Sequence, residues 1–335
     1  MNFISKVQRI ALAAMIVLGA AACSDDDDNG NVIDNELTIT EIAVGDPANF
    51  SSLVAALQRV NLAATLDDEG AQYTVFAPTN AAFEAFFQAD NGVSSLDDLS
   101  DEQLTAVLLN HVVSGESFEA DLSPGYINTL STVDLDGDDD DSDEVNLSLY
   151  VNTDGGVTLN GGPAVSQADV NASNGVIHVI NGVIDLPTVV TFAAADPTFN
   201  TLETALQADD SFNFVTTLSG NGPFTVFAPT DDAFGLLIDE LGLENGLDDV
   251  DTDDLANILS YHVVSGANVR AEDITDGQIV TTLNGNFTIS LESGSPVITD
   301  FANRETNIVA TNVQASNGVI HAVGRVLVPD VDLED

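Results

Sequence analysis

Past Lys6 the chain contains no lysine, and its 335 residues include no tryptophan, one cysteine and two methionines. Basic charge is nearly absent. Lys6 and Arg9 lie in the first 23 residues, which hold no acid, so the remainder sets 55 Asp and Glu against four Arg, a charge of −51. Such a field repels nucleic acid and anionic headgroups, disfavours any polyanionic partner, and favours cations, Ca²⁺ included. The lone thiol, Cys23, has no partner for a disulfide. A nucleophile elbow, a phosphate loop and a zinc-ligand motif are also missing, which removes the sequence grounds for an enzyme and for a required cofactor. What is present is 44% hydrophobic residues, enough to bury real cores. Few aromatics with much Val, Thr, Asn and Gly read as β-rich with polar turns.

The chain also repeats itself. Thr74-Val-Phe-Ala-Pro-Thr-Asn-Ala-Ala-Phe83 returns 151 residues later as Thr225-Val-Phe-Ala-Pro-Thr-Asp-Asp-Ala-Phe234, and His111-Val-Val-Ser-Gly115 returns at the same offset as His262-Val-Val-Ser-Gly266. Ala172-Ser-Asn-Gly-Val-Ile-His178 returns as Ala315-Ser-Asn-Gly-Val-Ile-His321, now 143 residues on. Three blocks recurring in one order mean two copies of one domain. The smaller last offset requires extra residues in the first copy between Gly115 and Ala172. The acidic tract Asp134-Leu-Asp-Gly-Asp-Asp-Asp-Asp-Ser-Asp-Glu144 is the expected insert, since a longer surface loop costs little closure entropy.

Within each copy, Asp46-Pro and Asp196-Pro suit the starts of amphipathic helices over Phe50 to Val60 and Phe199 to Gln207. A short strand follows, Tyr73 to Ala77 and Phe224 to Ala228. Thr79 and Thr230 then read as N-caps, structural rather than nucleophilic. The next helix opens on Ser100-Asp-Glu-Gln103, a capping-box pattern, with Asp251 in the matching place. His111 and His262 continue the apolar stripes Leu104, Val107, Leu108 and Leu255, Ile258, Leu259, so both imidazoles are expected in the core. His178 and His321 sit in β patterns. Two His per unit, without a fixed third ligand, do not make a metal site. Alternating stretches punctuated by Gly, Asn and Asp, such as Val145 to Val151 and Phe287 to Leu291, predict antiparallel hairpins, and the unit is α+β.

The pattern Thr-Val-Phe-Ala-Pro-Thr-x-x-Ala-Phe, then Tyr261-His262-Val-Val-Ser-Gly266, then Asn317-Gly-Val-Ile-His321, resembles the fasciclin (FAS1) domain. The first copy departs from it with Asn110 in place of the Tyr. The resemblance covers residues 37–187 and 188–330. It implies a β-sandwich or wedge flanked by helices, two units in tandem, used non-enzymatically for adhesion to extracellular proteins or polysaccharides. It also implies candidate adhesive residues, Tyr261 and His262 from the Tyr-His segment and Asp169 from an Asp-Ile-like segment. The second copy has Asn312 at the place of Asp169.

The ends suggest export. Residues 1–22 have a basic start, an apolar stretch and small residues before Cys23, as a secretory signal does. Leu18-Gly-Ala-Ala-Ala-Cys23 resembles the lipobox of bacterial lipoproteins, with Ala20 where Leu is commonest, so Cys23 is the expected lipidation site. Residues 23–36 form an acidic tether and residues 331–335 an acidic tail. The acids after Cys23 resemble the signal that sends some lipoproteins to the outer face of the outer membrane. The expected protein is therefore a surface-anchored adhesion protein. The alternative is an envelope accessory that captures a glycan or lipid. In the acidic insert, Asp134, Asp136, Asp138 and Asp140 are candidate Ca²⁺ ligands, although the spacing departs from the EF-hand rule.

Overall fold

The computed structural model describes residues 37–330 apart from 69, 90–91, 135–143, 210 and 293–294. In the first copy, strand β1 (Tyr73–Pro78) runs between β2 (Val112–Ser114), which is antiparallel to it, and β7 (Gly175–Ile180), which is parallel. These three strands are the three recurring blocks. Thr74 faces Val113 on one side and Val176 on the other, and Phe76 faces His178. In the second copy β8 (Phe224–Pro229) lies likewise between β9 (Val263–Ser265) and β14 (Gly318–Val323), with Phe227 opposite His321. The motifs recur together because they form one hydrogen-bonded node. Gly175 and Gly318 open β7 and β14 at φ +140° and +157°, where a Cβ would collide with the carbonyls of Tyr73 and Phe224. Only glycine fits that approach.

Helices cover one side of each node. In the first copy these are α1 (Ile39–Gly45), α2 (Pro47–Arg59), α3 (Asn80–Gln88) and α4 (Asp101–Leu109). α1 and its counterpart α5 (Val189–Ala195) were not expected from the sequence, although Thr38 and Glu41 form a complete capping box. Asn174 ties α1 down: its Oδ1 accepts from the Ile39 N–H at 2.9 Å and its Nδ2 donates to the Leu66 carbonyl at 2.8 Å. Asn317 does the same for Val189 and Leu218. α6 (Asn200–Leu206), α7 (Phe214–Leu218), α8 (Asp231–Leu241) and α9 (Thr252–Tyr261) complete the second copy.

On the other side lie the expected hairpins. β3 (Gly125–Val133), β4 (Val145–Asn152) and β5 (Thr158–Leu159) form a separate three-stranded sheet, while β6 (Val165–Ala172) joins the node. The second copy instead links β10 (Gln278–Thr282), β11 (Gly285–Glu292), β12 (Ser295–Thr299) and β13 (Glu305–Ala315) to its node in one seven-stranded sheet. The acidic insert lies between β3 and β4, where the second copy turns from Thr282 to Gly285 through Leu283 and Asn284.

The two copies pack through β4 against β13 and α5. Tyr150 belongs to the apolar core of the second copy, and Tyr126 stacks edge-on against Phe192 at 5.4 Å. Polar bonds cross the junction: the Tyr126 hydroxyl donates to Asp196 Oδ2 at 2.9 Å, the buried Gln314 N–H donates to Ser148 Oγ at 3.0 Å, and Ser316 donates both its N–H and its hydroxyl to the Pro187 carbonyl at 2.8 Å.

Candidate functional site

Four histidines occupy two equivalent positions, and each position has one hydrogen-bond pattern. His111 and His262 directly follow the helices that end at Leu109 and Tyr261, or one residue beyond. Nδ1 of each meets the carbonyl four residues earlier, Val107 at 2.7 Å and Ile258 at 2.8 Å. Nε2 accepts a backbone N–H, from Ile184 and from Leu327, both at 2.9 Å. These bonds require the neutral tautomer protonated on Nδ1. Burial pushes both imidazoles down to about 4. Each ring therefore works as a clamp between a helix end and the segment that leaves the last strand.

His178 and His321 use the opposite tautomer. Nε2 donates to the Ser117 carbonyl at 2.9 Å and the Val269 carbonyl at 2.8 Å. Nδ1 accepts from the N–H of Asp169 and of Asn312, each at 3.4 Å. Phe76 and Phe227 stack on the two rings at 5.4 and 5.5 Å. Thr79 and Thr230 accept from the N–H groups of Ala82 and Ala233, at 3.2 and 3.3 Å, and cap α3 and α8. Every histidine nitrogen is thus committed to the backbone. Among the described residues no group of three or more His, Cys, Asp or Glu is placed to hold a metal.

The two copies depart from this symmetry at their junction. A groove of ≈ 670 Å³ runs along it, lined by Tyr126, Asn128 and Asn146 from the first copy and by Arg270, Thr311 and Asn312 from the second. Arg270 donates to Glu272 Oε1 at 2.7 Å and to Gln314 Oε1 at 3.2 Å. This guanidinium holds the Glu272 carboxyl down at about 2. The first copy has Phe118 at the place of Arg270: the N–H of each donates to an Asp three residues on, Asp121 and Asp273. The groove is therefore rich in amides and hydroxyls, with one carboxylate, Glu144, and one positive group, Arg270, which is paired with Glu272.

The Fasciclin domain model matches residues 48–187 and 197–329, most of the chain. The chain belongs to the fasciclin family. Among curated relatives, Protein sll1483 of Synechocystis sp. is 35% identical over 170 residues, covering 50% of this chain and 89% of that protein. Transforming growth factor-beta-induced protein ig-h3 of Sus scrofa is 30% identical over 260 residues, covering 77% of this chain and 35% of that protein. Human periostin is 28% identical over 265 residues, 77% and 28% respectively, so the match spans about a third of the animal proteins' length. The structure of a FAS1 domain pair from the insect cell adhesion molecule fasciclin I aligns over 84% of this chain and 98% of that one, at a TM-score of 0.48 and 20% identity.

The fasciclin fold places the candidate adhesive residues apart. Tyr261 is 1% exposed, packs against Phe287 at 5.9 Å and donates its hydroxyl to the Asn286 carbonyl at 2.6 Å. A partner could touch this ring or the His262 ring only if the core opened. Asp169 lies in the other unit, at φ +58° in a register break of β6, with its carboxylate exposed. Its Oδ1 accepts from the Glu119 N–H at 2.8 Å. Asn312, at φ +60° in the matching break, accepts from the Ala271 N–H at 2.8 Å. Asp and Asn both tolerate this backbone and both offer the acceptor, so the substitution preserves the turn.

Of the candidate Ca²⁺ ligands, Asp134 stands at the root of the insert beside a second polar groove, while Asp136, Asp138 and Asp140 lie outside the described residues. Cys23 lies outside them too. Of the two residues that shape the junction, Tyr126 carries no signal in the sequence, and Asp196 reads there only as a helix start. A cue existed for Asp196, because Asp46-Pro47 and Asp196-Pro197 repeat, yet only Asp196 is buried.

Proposed function

We propose that this protein is a non-enzymatic, surface-anchored adhesion protein that binds an extracellular protein or polysaccharide through its paired fasciclin units. Family membership supports a general role in adhesion and extracellular interaction. The observation that carries the finer reading is the polar groove at the junction. Amide and hydroxyl groups from both units converge there, and ligands that carry many hydroxyls are recognised by such groups. The surrounding negative field selects neutral or cationic partners. Lipidation at Cys23, followed by the acidic tether, would hold the pair at the outer membrane, and acyl chains at about 0.8 kcal/mol per buried CH₂ supply the affinity. Ca²⁺ on the insert that starts at Asp134 would link an acidic surface to its partner.

The accessory reading in its lipid form has less support. The apolar cavities under the helices of the two units measure ≈ 20 and ≈ 30 Å³, about one water each, too small for an acyl chain.

The test is binding of the chain from residue 24 onward to matrix proteins and a glycan panel, with Ca²⁺ and with chelator. Saturable binding that weakens at least about tenfold in Asn128→Asp or Arg270→Ala is expected. Binding to nothing in the panel would sink the adhesive reading, and binding unchanged in both variants would move it away from the groove.

A further inference from the structure

In a chain this acidic, a broad sheet face with carboxylate positions only at its corners requires an explanation. Strands β10 to β13 carry one. Register aligns Ile279, Thr288, Thr299 and Glu305 in a row across the four strands, on the side opposite the buried Phe287, Ile289 and Ile298. Ser290 continues that side on β11, and Leu283 lies just past β10. Ile279 and Leu283 are 69% and 53% exposed. Among the described residues of this face, carboxylate positions enter at its corners, Glu305 at the end of the row and, by register, Glu292 at a hairpin end.

The same face of the first unit is already an interface. Ser148 and Tyr150 of β4 are buried there by the second unit, and the Gln314 N–H donates to Ser148 Oγ. Thr288 and Ser290 hold the corresponding positions on β11 and are only half-buried.

We propose that the outer face of β10–β13 is a self-association surface on which a second copy of this chain docks, face to face about a two-fold axis. Two chains of this charge repel wherever acidic surfaces meet, and buried like charges cost several kcal/mol. Apposing two faces whose carboxylate positions lie only at the corners lowers that cost, and a two-fold axis brings the same face to both sides. Ile279 and Leu283 supply apolar area, while the Thr and Ser hydroxyls can exchange hydrogen bonds across the seam. Head-to-tail repetition of the internal junction lacks its anchors. Register puts Gly277 and Ser290 where the first unit has Tyr126 and Tyr150, and Phe118 stands where Arg270 does. This self-association goes beyond the adhesive reading and stands even if that reading fails.

The test is sedimentation velocity on the chain from residue 24 onward at about 0.01 M and about 1 M salt, where the Debye length falls from ~30 to ~3 Å. The expected result is monomer at low salt and dimer at high salt. Ile279→Asp and Thr288→Asp should each weaken the dimer at least tenfold. Leu236→Asp, on the 44% exposed Leu236 of α8, should leave it intact and so exclude general salting-out. Melting curves matching the parent would show that the variants fold. A chain that stays monomeric at its highest soluble concentration in both salts overturns the proposal. A dimer indifferent to Ile279→Asp and Thr288→Asp, or stronger at low salt, overturns it too. Monomers whose glycan binding falls in the same two variants would assign the face to the adhesive partner instead, which also overturns it.

Discussion

Strands β4 and β11 hold the same place in the two units and differ in one respect. β4 is buried on both sides, with Leu147 and Leu149 facing its own core and Ser148 and Tyr150 facing the other unit. β11 alternates, with Phe287 and Ile289 buried and Thr288 and Ser290 half-buried. An antiparallel strand with one face in water shows that alternation, so the loss of it in β4 marks where the second unit docks. Core positions differ as well. Asn110, Thr129 and Ser131 form a buried polar cluster in the first unit, where the Asn110 amide donates to the Asp185 carbonyl at 3.0 Å. In the second unit Tyr261 takes the Asn110 position and joins Phe227 and Phe287. The conserved node thus tolerates either solution beneath it, and what separates the units is packing around a shared frame.

The sharpest way to break this comparison is at that position. Tyr261→Asn should cost about 3–5 kcal/mol, since it removes a buried ring and leaves an aromatic cluster around a cavity. Asn110→Ala should cost about 1–3 kcal/mol, because it strands the Asp185 carbonyl and leaves the Thr129 hydroxyl with only the Leu147 carbonyl of its two acceptors. Urea unfolding of each variant gives both numbers. Equal losses would mean that the two cores are interchangeable and the contrast drawn from Tyr261 is wrong.

The histidine clamps should behave alike. His111 and His262 have folded-state values of about 4, below the ordinary 6.5, because burial penalises the charged ring. The unfolded chain therefore binds more protons between those values. Each ring adds stability that is full above about pH 6.5 and is lost as pH falls towards 4, about 3 kcal/mol apiece. Around His262 the nearby charges, Arg304 lowering and Asp300 raising, oppose each other and leave burial dominant. Unfolding free energy measured from pH 7.5 down to 4.5 should fall steeply, and His111→Asn and His262→Asn should flatten that slope equally. Unequal flattening would show that the clamps differ.

At the junction, Tyr126→Phe should weaken unit–unit coupling by about 1–3 kcal/mol, the worth of a hydrogen bond to a charged acceptor. A double-mutant cycle with Asp196→Asn isolates that term. Zero coupling would reduce the latch to simple packing.

Much of this was legible beforehand, for reasons that differ by element. The three blocks announced the node, because residues held by three strands at once recur as strings. The hairpins showed as alternation, and Thr79 and Thr230 as caps. The parallel pairing of β1 with β7 did not show, since partners about a hundred residues apart leave no periodic trace in either strand. α1 and α5 were missed because they are only seven residues long and their stability comes from Asn174 and Asn317, which lie far along the chain. Nor did any motif mark Tyr126, whose role exists only when the second unit is present. The buried state of Tyr261 was hidden in the same way: its helix stripe was readable, but not that the Asn286 carbonyl would take its hydroxyl.

The smallest expected effect concerns the acidic insert between β3 and β4. Replacing residues 135–143 by Asn-Gly, after the tight Leu283-Asn284-Gly285 turn of the second unit, should change stability at high salt by less than about 1 kcal/mol, because closure entropy varies only logarithmically with length. At low salt the shortened chain should be the more stable, having lost Asp136, Asp138, Asp139, Asp140, Asp141 and Asp143 from an already repulsive surface. Millimolar Ca²⁺ separates the two roles of this segment. If it binds the ion, the melting temperature of the parent rises with Ca²⁺ and that of the shortened chain does not. Equal responses in the two chains would mean that the insert contributes charge alone, and that the units differ there only in the length of a turn.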